Sequence, residues 1–346
     1  MGSSVDHPKV VTLPNILNQW PWPRLLSEHF QDAKAESTAW VEAFRPFQGR
    51  ALQSFRECGC SLLASLTYSP REKELIRLGC DLMHLFFIFD EYTDVEDHSG
   101  ARVIYHTIKG IFENPSDLGP RKENCLYAIA RDFWRNARTQ VPEDALCLQH
   151  FLDGWNAFST AVVQEADDRA KTRYRSFDDY MKIRRYTGGG APTFALIEFG
   201  LDLPEEVYCH PVISSLRKKA EILIVLVNDI YSYIMESFRG LTMHNGVEIL
   251  VRERNITVQN AVDWLGDYCN EVADKFLTEL KSVPSWGADV DQRVALYIGG
   301  LGQWVRGMDD WHFESARYFG SDPATVKQTR VVTVAPPSRG YMGRHP

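Results

Sequence analysis

Residues 72–94 read EKELIRLGCDLMHLFFIFDEYTD. Apolar residues recur in this stretch at spacings of three and four, the period of a helix with one face in a core. The run closes on four large apolar residues, Phe86, Phe87, Ile88 and Phe89, that pass directly into the carboxylates Asp90, Glu91 and Asp94. Carboxylates do not enter an apolar core without partners. On a helix, Asp90 and Asp94 share a face one turn apart, Glu91 lies beside them, and Phe86 and Phe87 sit one turn earlier. The segment therefore reads as an apolar wall that ends in a carboxylate rim. Taken alone, it reads equally as a core helix whose last turn meets solvent.

Working outward, the same period dominates the chain. It recurs in LLSEHFQDAKAESTAWVEAF from Leu25, VPEDALCLQHFLDGWNAFSTAVVQEADD from Val141 and TVQNAVDWLGDYCNEVADKFLTELKS from Thr257. Thr257 is the expected N-cap of its helix, and Pro142 fits a first-turn proline. Strand-like alternation is confined to VVTVAP at 331–336, inside a Pro/Gly-rich tail. Breaks are expected at NPSDLGP (114–120), TGGGAP (187–192) and GLDLPEE (200–206). Length alone allows about two or three domains, but no long linker divides the sequence and no internal repeat is visible. The expectation is an all-α fold: one helical bundle over 19–324, with flexible ends at 1–18 and 325–346.

Composition narrows the function. The 346 residues carry 38 basic and 46 acidic side chains, a formal charge of −8, which argues against nucleic acid or an anionic membrane surface as partner. The start lacks the charged-then-apolar pattern of a secretory signal, and no run reaches the roughly 18 apolar residues of a membrane span. Seven cysteines are scattered, with no Cys/His ligand spacing, so reduced thiols in a cytosolic protein are expected rather than a zinc site.

A second polar stripe lies in LVNDIYSYIMESF, 226–238. Asn228, Ser232 and Glu236 stand at i, i+4 and i+8 on one helical face, directly after the apolar run ILIVLV. Three oxygen donors of this kind suit a hard cation that keeps waters and takes phosphate oxygens, such as Mg²⁺. The alternative, a stripe facing solvent, is weakened by the apolar lead-in. Asp229 falls off the stripe and is expected to be structural.

Together DEYTD and NDIYSYIME resemble the two metal motifs of class I terpene synthases, D(D/E)xxD and NDxxSxxxE, here 138 positions apart from Asp90 to Asn228. RRYTGGGAP, from Arg184, resembles that family's diphosphate sensor and helix break, with Arg184 as sensor, Thr187 as linker and Gly188 as effector. WHFESARYFG, from Trp311, resembles the family's C-terminal Arg-Tyr pair, here Arg317 and Tyr318. LPNILNQWPWPR, from Leu13, is similar to the opening of fungal sesquiterpene synthases. The resemblance spans residues 12–320.

The resemblance implies a class I terpenoid synthase bundle around a central apolar cavity. It implies farnesyl diphosphate as substrate and three Mg²⁺ ions held by Asp90, Asp94, Asn228, Ser232 and Glu236. It implies Arg184, Arg317 and Tyr318 on the diphosphate; the oligomeric state stays open, and monomer or homodimer would both fit. Aromatic faces steady a carbocation, and Phe86, Phe87 and Trp311 are the candidates for that wall. The subgroup resembled closes the 1,11 bond through a humulyl cation, and protoilludene is a typical product.

Two positions depart from the pattern. Met235 stands where the family often has a lysine, which leaves Arg239 one turn on as the replacement contact, with Lys182 and Arg185 nearby. Glu91 takes the second place of the aspartate-rich motif and is the weakest ligand candidate. Two alternatives remain: a chain-elongating prenyl transferase on the same fold, or a non-catalytic helical binding protein. The former would carry a second aspartate-rich motif, and Asp178–Asp179 fails to supply it because Lys182 occupies the closing position. His84 is expected to pack in the core, and QEADDRAKTRYR (164–175) to be an exposed helix end whose arginines cover the mouth.

Overall fold

The computed structural model describes residues 9–114, 124–320 and 322–334. Helices account for nearly all of its regular structure. The first group comprises α1 (Phe30–Ala43), α2 (Gly49–Glu57), α3 (Cys60–Thr67), α4 (Lys73–Thr93), α5 (His98–Glu113) and α6 (Cys125–Thr139). The second comprises α7 (Leu146–Ala170), α8 (Phe177–Thr187), α9 (Gly190–Ile197), α10 (Glu205–Tyr208) and α11 (Pro211–Arg239). The last comprises α12 (Gly246–Arg254), α13 (Val258–Glu279), α14 (Ala288–Glu314) and α15 (Pro323–Thr329). Two short strands, β1 (Lys9–Thr12) and β2 (Val331–Val334), pair antiparallel.

The helix boundaries follow local chemistry. Thr257 caps α13 as expected, its hydroxyl accepting from the Asn260 amide at 3.1 Å. Ser176 caps α8 through Asp179 N at 3.2 Å, and Asp178 and Asp179 fill that helix's first turn, where the dipole favours acidic side chains. The tempting aspartate pair is thus a helix start, with Lys182 turned onto Asp179 at 2.7 Å. Pro142 does not open a helix: it accepts a turn bond from Ala145 N, and α7 begins at Leu146. The helix expected from Leu25 begins at Phe30.

Around one lumen stand α3, α4, α7, α9, α11 and α14, each lending side chains to the cavity wall. The neighbours α1 and α6 back α4, α5 backs α7, and α13 backs α11. The core is strongly aromatic: Trp134, Trp155, Phe89, Phe133, Phe151 and Phe158 are buried to 2 % exposure or less. His84 belongs to it, 2.9 Å from Ser37 Oγ and against the Phe55 ring, and burial pushes its pKa down to about 3.

The ends differ from expectation. Segments 9–18 and 325–334 pack on the body instead of hanging free. Leu13, Ile16 and Leu17 are buried, β1 pairs β2, and Leu13 N donates to Arg330 O at 2.7 Å. Trp20 Nε1 donates to Gly302 O at 2.9 Å, and Arg306 holds the carbonyls of Trp22 and Leu17 at 3.0 and 3.1 Å. Gly302 leaves the room: a Cβ there would meet the Trp22 indole at 2.1 Å. The outermost residues, 1–8 and 335–346, lie outside the described residues, as does most of the break expected at 114–120. Nor is 164–175 a plain exposed helix end, because Asp168 is fully buried and held by Arg175 at 2.5 and 3.0 Å.

Candidate active site

The lumen holds a cavity of about 760 Å³, its open mouth included. Phe86, Phe87, Phe158, Trp304, Trp311, Met83, Met308 and Leu63 line its apolar part. The rings interlock edge to face, Phe86 on Phe158 at 5.0 Å and Phe87 on Trp311 at 5.8 Å. Trp311 is pinned by its Nε1, which donates to the carbonyls of Cys58 and Gly59 at 3.0 and 3.2 Å. All three residues expected as wall therefore face the lumen.

At the polar end, Asp90 from α4 lies across the cavity from Asn228 on α11, with Arg184, Arg317 and Tyr318 also in the lining. Asp94, Ser232 and Glu236 are not in the lining; they continue the same two helical faces outward. Asp90 and Asp94 touch open space yet are ringed by protein. Burial raises the Asp90 pKa well above the ordinary range and the neighbouring Asp94 adds to it, against Arg317. Burial likewise raises Asp94, against Arg169. Burial pushes Glu236 up to about 7, Asp229 adding to the push and hydrogen bonds from Ser232 and Asn245 opposing it.

Like charges crowd these groups: Asp94 and Glu91 raise Asp90, and Glu165 and Glu91 raise Asp94. Among the described residues no three His, Cys, Asp or Glu side chains gather into one cation cluster. Here the donors are split between facing helices, and two of the three on α11 are neutral. A hard cation fits that set: carboxylate, amide and hydroxyl oxygens, with room left for water or phosphate oxygens.

Asp229, the residue off the stripe, is a structural anchor. It is fully buried, accepts from Arg184 Nε at 2.9 Å and Gly246 N at 3.0 Å, and takes the Tyr180 hydroxyl hydrogen bond. Arg184 Nη2 meanwhile donates to Asn228 Oδ1 at 2.8 Å. Arg317 is held from the other side: Nη1 lies 2.9 Å from Cys58 Sγ, and the guanidinium sits 4.8 Å over the Phe87 ring.

Between Arg184 and the lumen runs the helix break. Thr187 ends α8 and donates to Glu165 at 2.9 Å, Gly188 follows in helical conformation, and Gly189 turns left-handed at φ 68°. The strained turn thus falls one residue later than the position expected as effector. A Cβ on Gly188 would meet Val225 Cγ1 at 2.2 Å, so any larger residue there must displace the Val225 side chain.

Arg239, the proposed replacement for the lysine missing at Met235, ends α11 and does not line the cavity. Lys182 is tied to Asp179, and Arg185 pairs with Glu221 at 2.8 Å. Sequence reasoning missed Asn245, which donates to Glu236 at 3.0 Å and lies 3.4 Å from Ser232 Oγ. Its only linear signal is as the N-cap of α12, accepting from Val247 N. It also missed Glu165 and His312.

The chain has relatives among known proteins. Residues 81–275 match the family described as terpene synthase family 2, C-terminal metal binding. Sesquiterpene synthase Agr9 of Cyclocybe aegerita is 50% identical over 98% of this chain and 91% of its own length. A Delta(6)-protoilludene synthase of Stereum hirsutum is 39% identical, again over 98% and 91%. The fold is shared with germacradien-4-ol synthase of Streptomyces citricolor, with a TM-score of 0.75 at 21% identity over 86% of this chain and 98% of that one. Hedycaryol synthase, solved with HEPES, gives 0.76 at 20% over 88% and 99%. The chain belongs to the terpene synthase family. It is an enzyme of the terpene cyclase kind, acting on a small-molecule prenyl diphosphate with a divalent metal. Among the described residues no helix is long and apolar enough to cross a membrane.

Proposed function

We propose that the chain ionises and cyclises farnesyl diphosphate to a sesquiterpene hydrocarbon with release of diphosphate, using three Mg²⁺ ions. The observation that carries this reading is one cavity with two chemistries: an aromatic lumen, and a mouth where Arg184, Arg317 and Tyr318 face Asp90 and Asn228. Asp90 from α4 and Asp94 at its C-cap, with Asn228, Ser232 and Glu236 from α11, would hold the metal. When bound, the ions supply Lewis-acid stabilisation of the departing diphosphate and cancel its repulsion from the carboxylates.

The protein's own groups do the rest. Arg184 and Arg317 offer planar donor forks to phosphate oxygens, and each is already held, Arg184 by buried Asp229 and Arg317 by half-buried Cys58, so little is reorganised as charge develops. The Tyr318 hydroxyl, accepting from Asn228 Nδ2 at 3.2 Å, keeps its proton free to donate. Burial, outweighing the nearby Arg317 charge, raises its pKa and keeps it protonated. Below the mouth, Phe86, Phe87 and Trp311 exclude water and present π faces to an allylic cation, each worth about 0.5–2 kcal/mol.

Relatives named Delta(6)-protoilludene synthase support a 1,11 closure through a humulyl cation. The reading goes with a cytosolic enzyme, monomeric or homodimeric; seven free thiols support the compartment. Gas chromatography–mass spectrometry of the products from farnesyl diphosphate tests the reaction. The same assay with isopentenyl diphosphate and an allylic partner would reveal chain elongation if longer diphosphates appear.

A further inference from the structure

His312 is fully buried beside the site and takes no part in the chemistry above. Its Nδ1 lies 2.6 Å from the Met308 carbonyl, which can only accept, so Nδ1 carries the ring proton. Arg184 can only donate, so the Asn228 oxygen faces it and the amide nitrogen faces the His312 ring. Nε2 is then a lone-pair acceptor, 3.1 Å from the side-chain nitrogen of Asn228. The Tyr318 hydroxyl accepts from the same nitrogen at 3.2 Å.

These contacts decide which way the Asn228 amide faces. Turned over, its oxygen would meet the Nε2 lone pair and its NH₂ would meet the Arg184 donors, two repulsions in place of two hydrogen bonds. The ring is itself fixed between Tyr318, 4.6 Å away, and Tyr231, 5.2 Å away.

We propose that His312 is a positioning residue that, through its Nδ1–H tautomer, holds the Asn228 carboxamide with its oxygen toward the cation site. A hard cation needs the oxygen and is repelled by the NH₂. The inference rests on Asn228 being a cation donor, and the test separates the two.

Calorimetric titration of the purified protein with Mg²⁺ and inorganic diphosphate is the readout, with variants His312→Leu, His312→Gln and Asn228→Ala. Loss of a partner that orients a ligand costs about 10- to 100-fold in metal affinity. His312→Leu is expected to weaken binding by about tenfold or more at unchanged circular dichroism, and His312→Gln, whose amide can both donate and accept, to restore most of it. A folded His312→Leu that binds like wild type, while Asn228→Ala does not, overturns the role of His312 alone. Wild-type binding by Asn228→Ala overturns the cation site itself. If His312→Leu does not fold, ¹⁵N-histidine NMR of the wild type decides. Protonation at Nδ1 with a bare Nε2 supports the role, and protonation at Nε2 overturns it.

Discussion

Asp90 and Asp229 show how one side-chain type serves opposite purposes in this chain. Asp229 is fully buried with three donors on its two oxygens, whereas Asp90 faces the lumen, with Arg317 as an opposing charge in the same wall. The two should fail differently. Asp90→Asn, and equally Glu236→Ala, should abolish most turnover while the protein still unfolds cooperatively in urea. Wild-type-like rates in either variant would remove the metal assignment. Asp229→Ala strands a buried guanidinium and should cost about 3–5 kcal/mol in the same unfolding experiment; a loss below about 1 kcal/mol would show that Arg184 has another anchor. The stripe Asn228, Ser232, Glu236 was legible because four-residue spacing is a property of one helix. Asn245 and His312 were not, since nothing local links them to Glu236 or Asn228; only tertiary packing brings them together.

At the scale of elements, the junction of α8 and α9 couples the mouth to the lumen. Arg184 reaches the mouth from one side of the break, and Gly189 presses on Phe86 from the other: a Cβ on Gly189 would lie 3.2 Å from that ring. Its φ of 68° also disfavours any L side chain by about 1–2 kcal/mol. Gly189→Ala should therefore lower stability by about that amount and alter the product ratio through Phe86. An unchanged product profile, read by gas chromatography–mass spectrometry, would uncouple the break from the wall. The break itself was visible in TGGGAP, but which glycine turns left-handed was not, because that depends on how α8 and α9 meet α11. Boundaries fared likewise: Thr257 was a readable cap, while Pro142 looked like a first-turn proline and instead sits in a turn.

For the whole molecule, the chain ends matter more than their composition suggested. Pro and Gly near the C-terminus, and the lack of helical period before residue 19, read as loose. Yet β1 and β2 find each other across the entire chain, and the segment from Leu13 to Arg24 straps α14. Such pairing is invisible to any local window. Removing residues 1–18 strips the buried side chains of Val11, Leu13, Ile16 and Leu17, worth about 1.5–3 kcal/mol each. The truncated protein should unfold at markedly lower urea concentration or fail to fold, and an unchanged midpoint would show the strap to be dispensable. In the proposed reaction the wet, acidic mouth and the dry aromatic lumen serve one substrate. That link is tested most directly by headspace gas chromatography–mass spectrometry of the purified protein with farnesyl diphosphate, once with Mg²⁺ and once with EDTA. A C15 hydrocarbon is expected with Mg²⁺ and none with EDTA; an unchanged product in EDTA, or no C15 hydrocarbon from fully folded protein with Mg²⁺, would break that link.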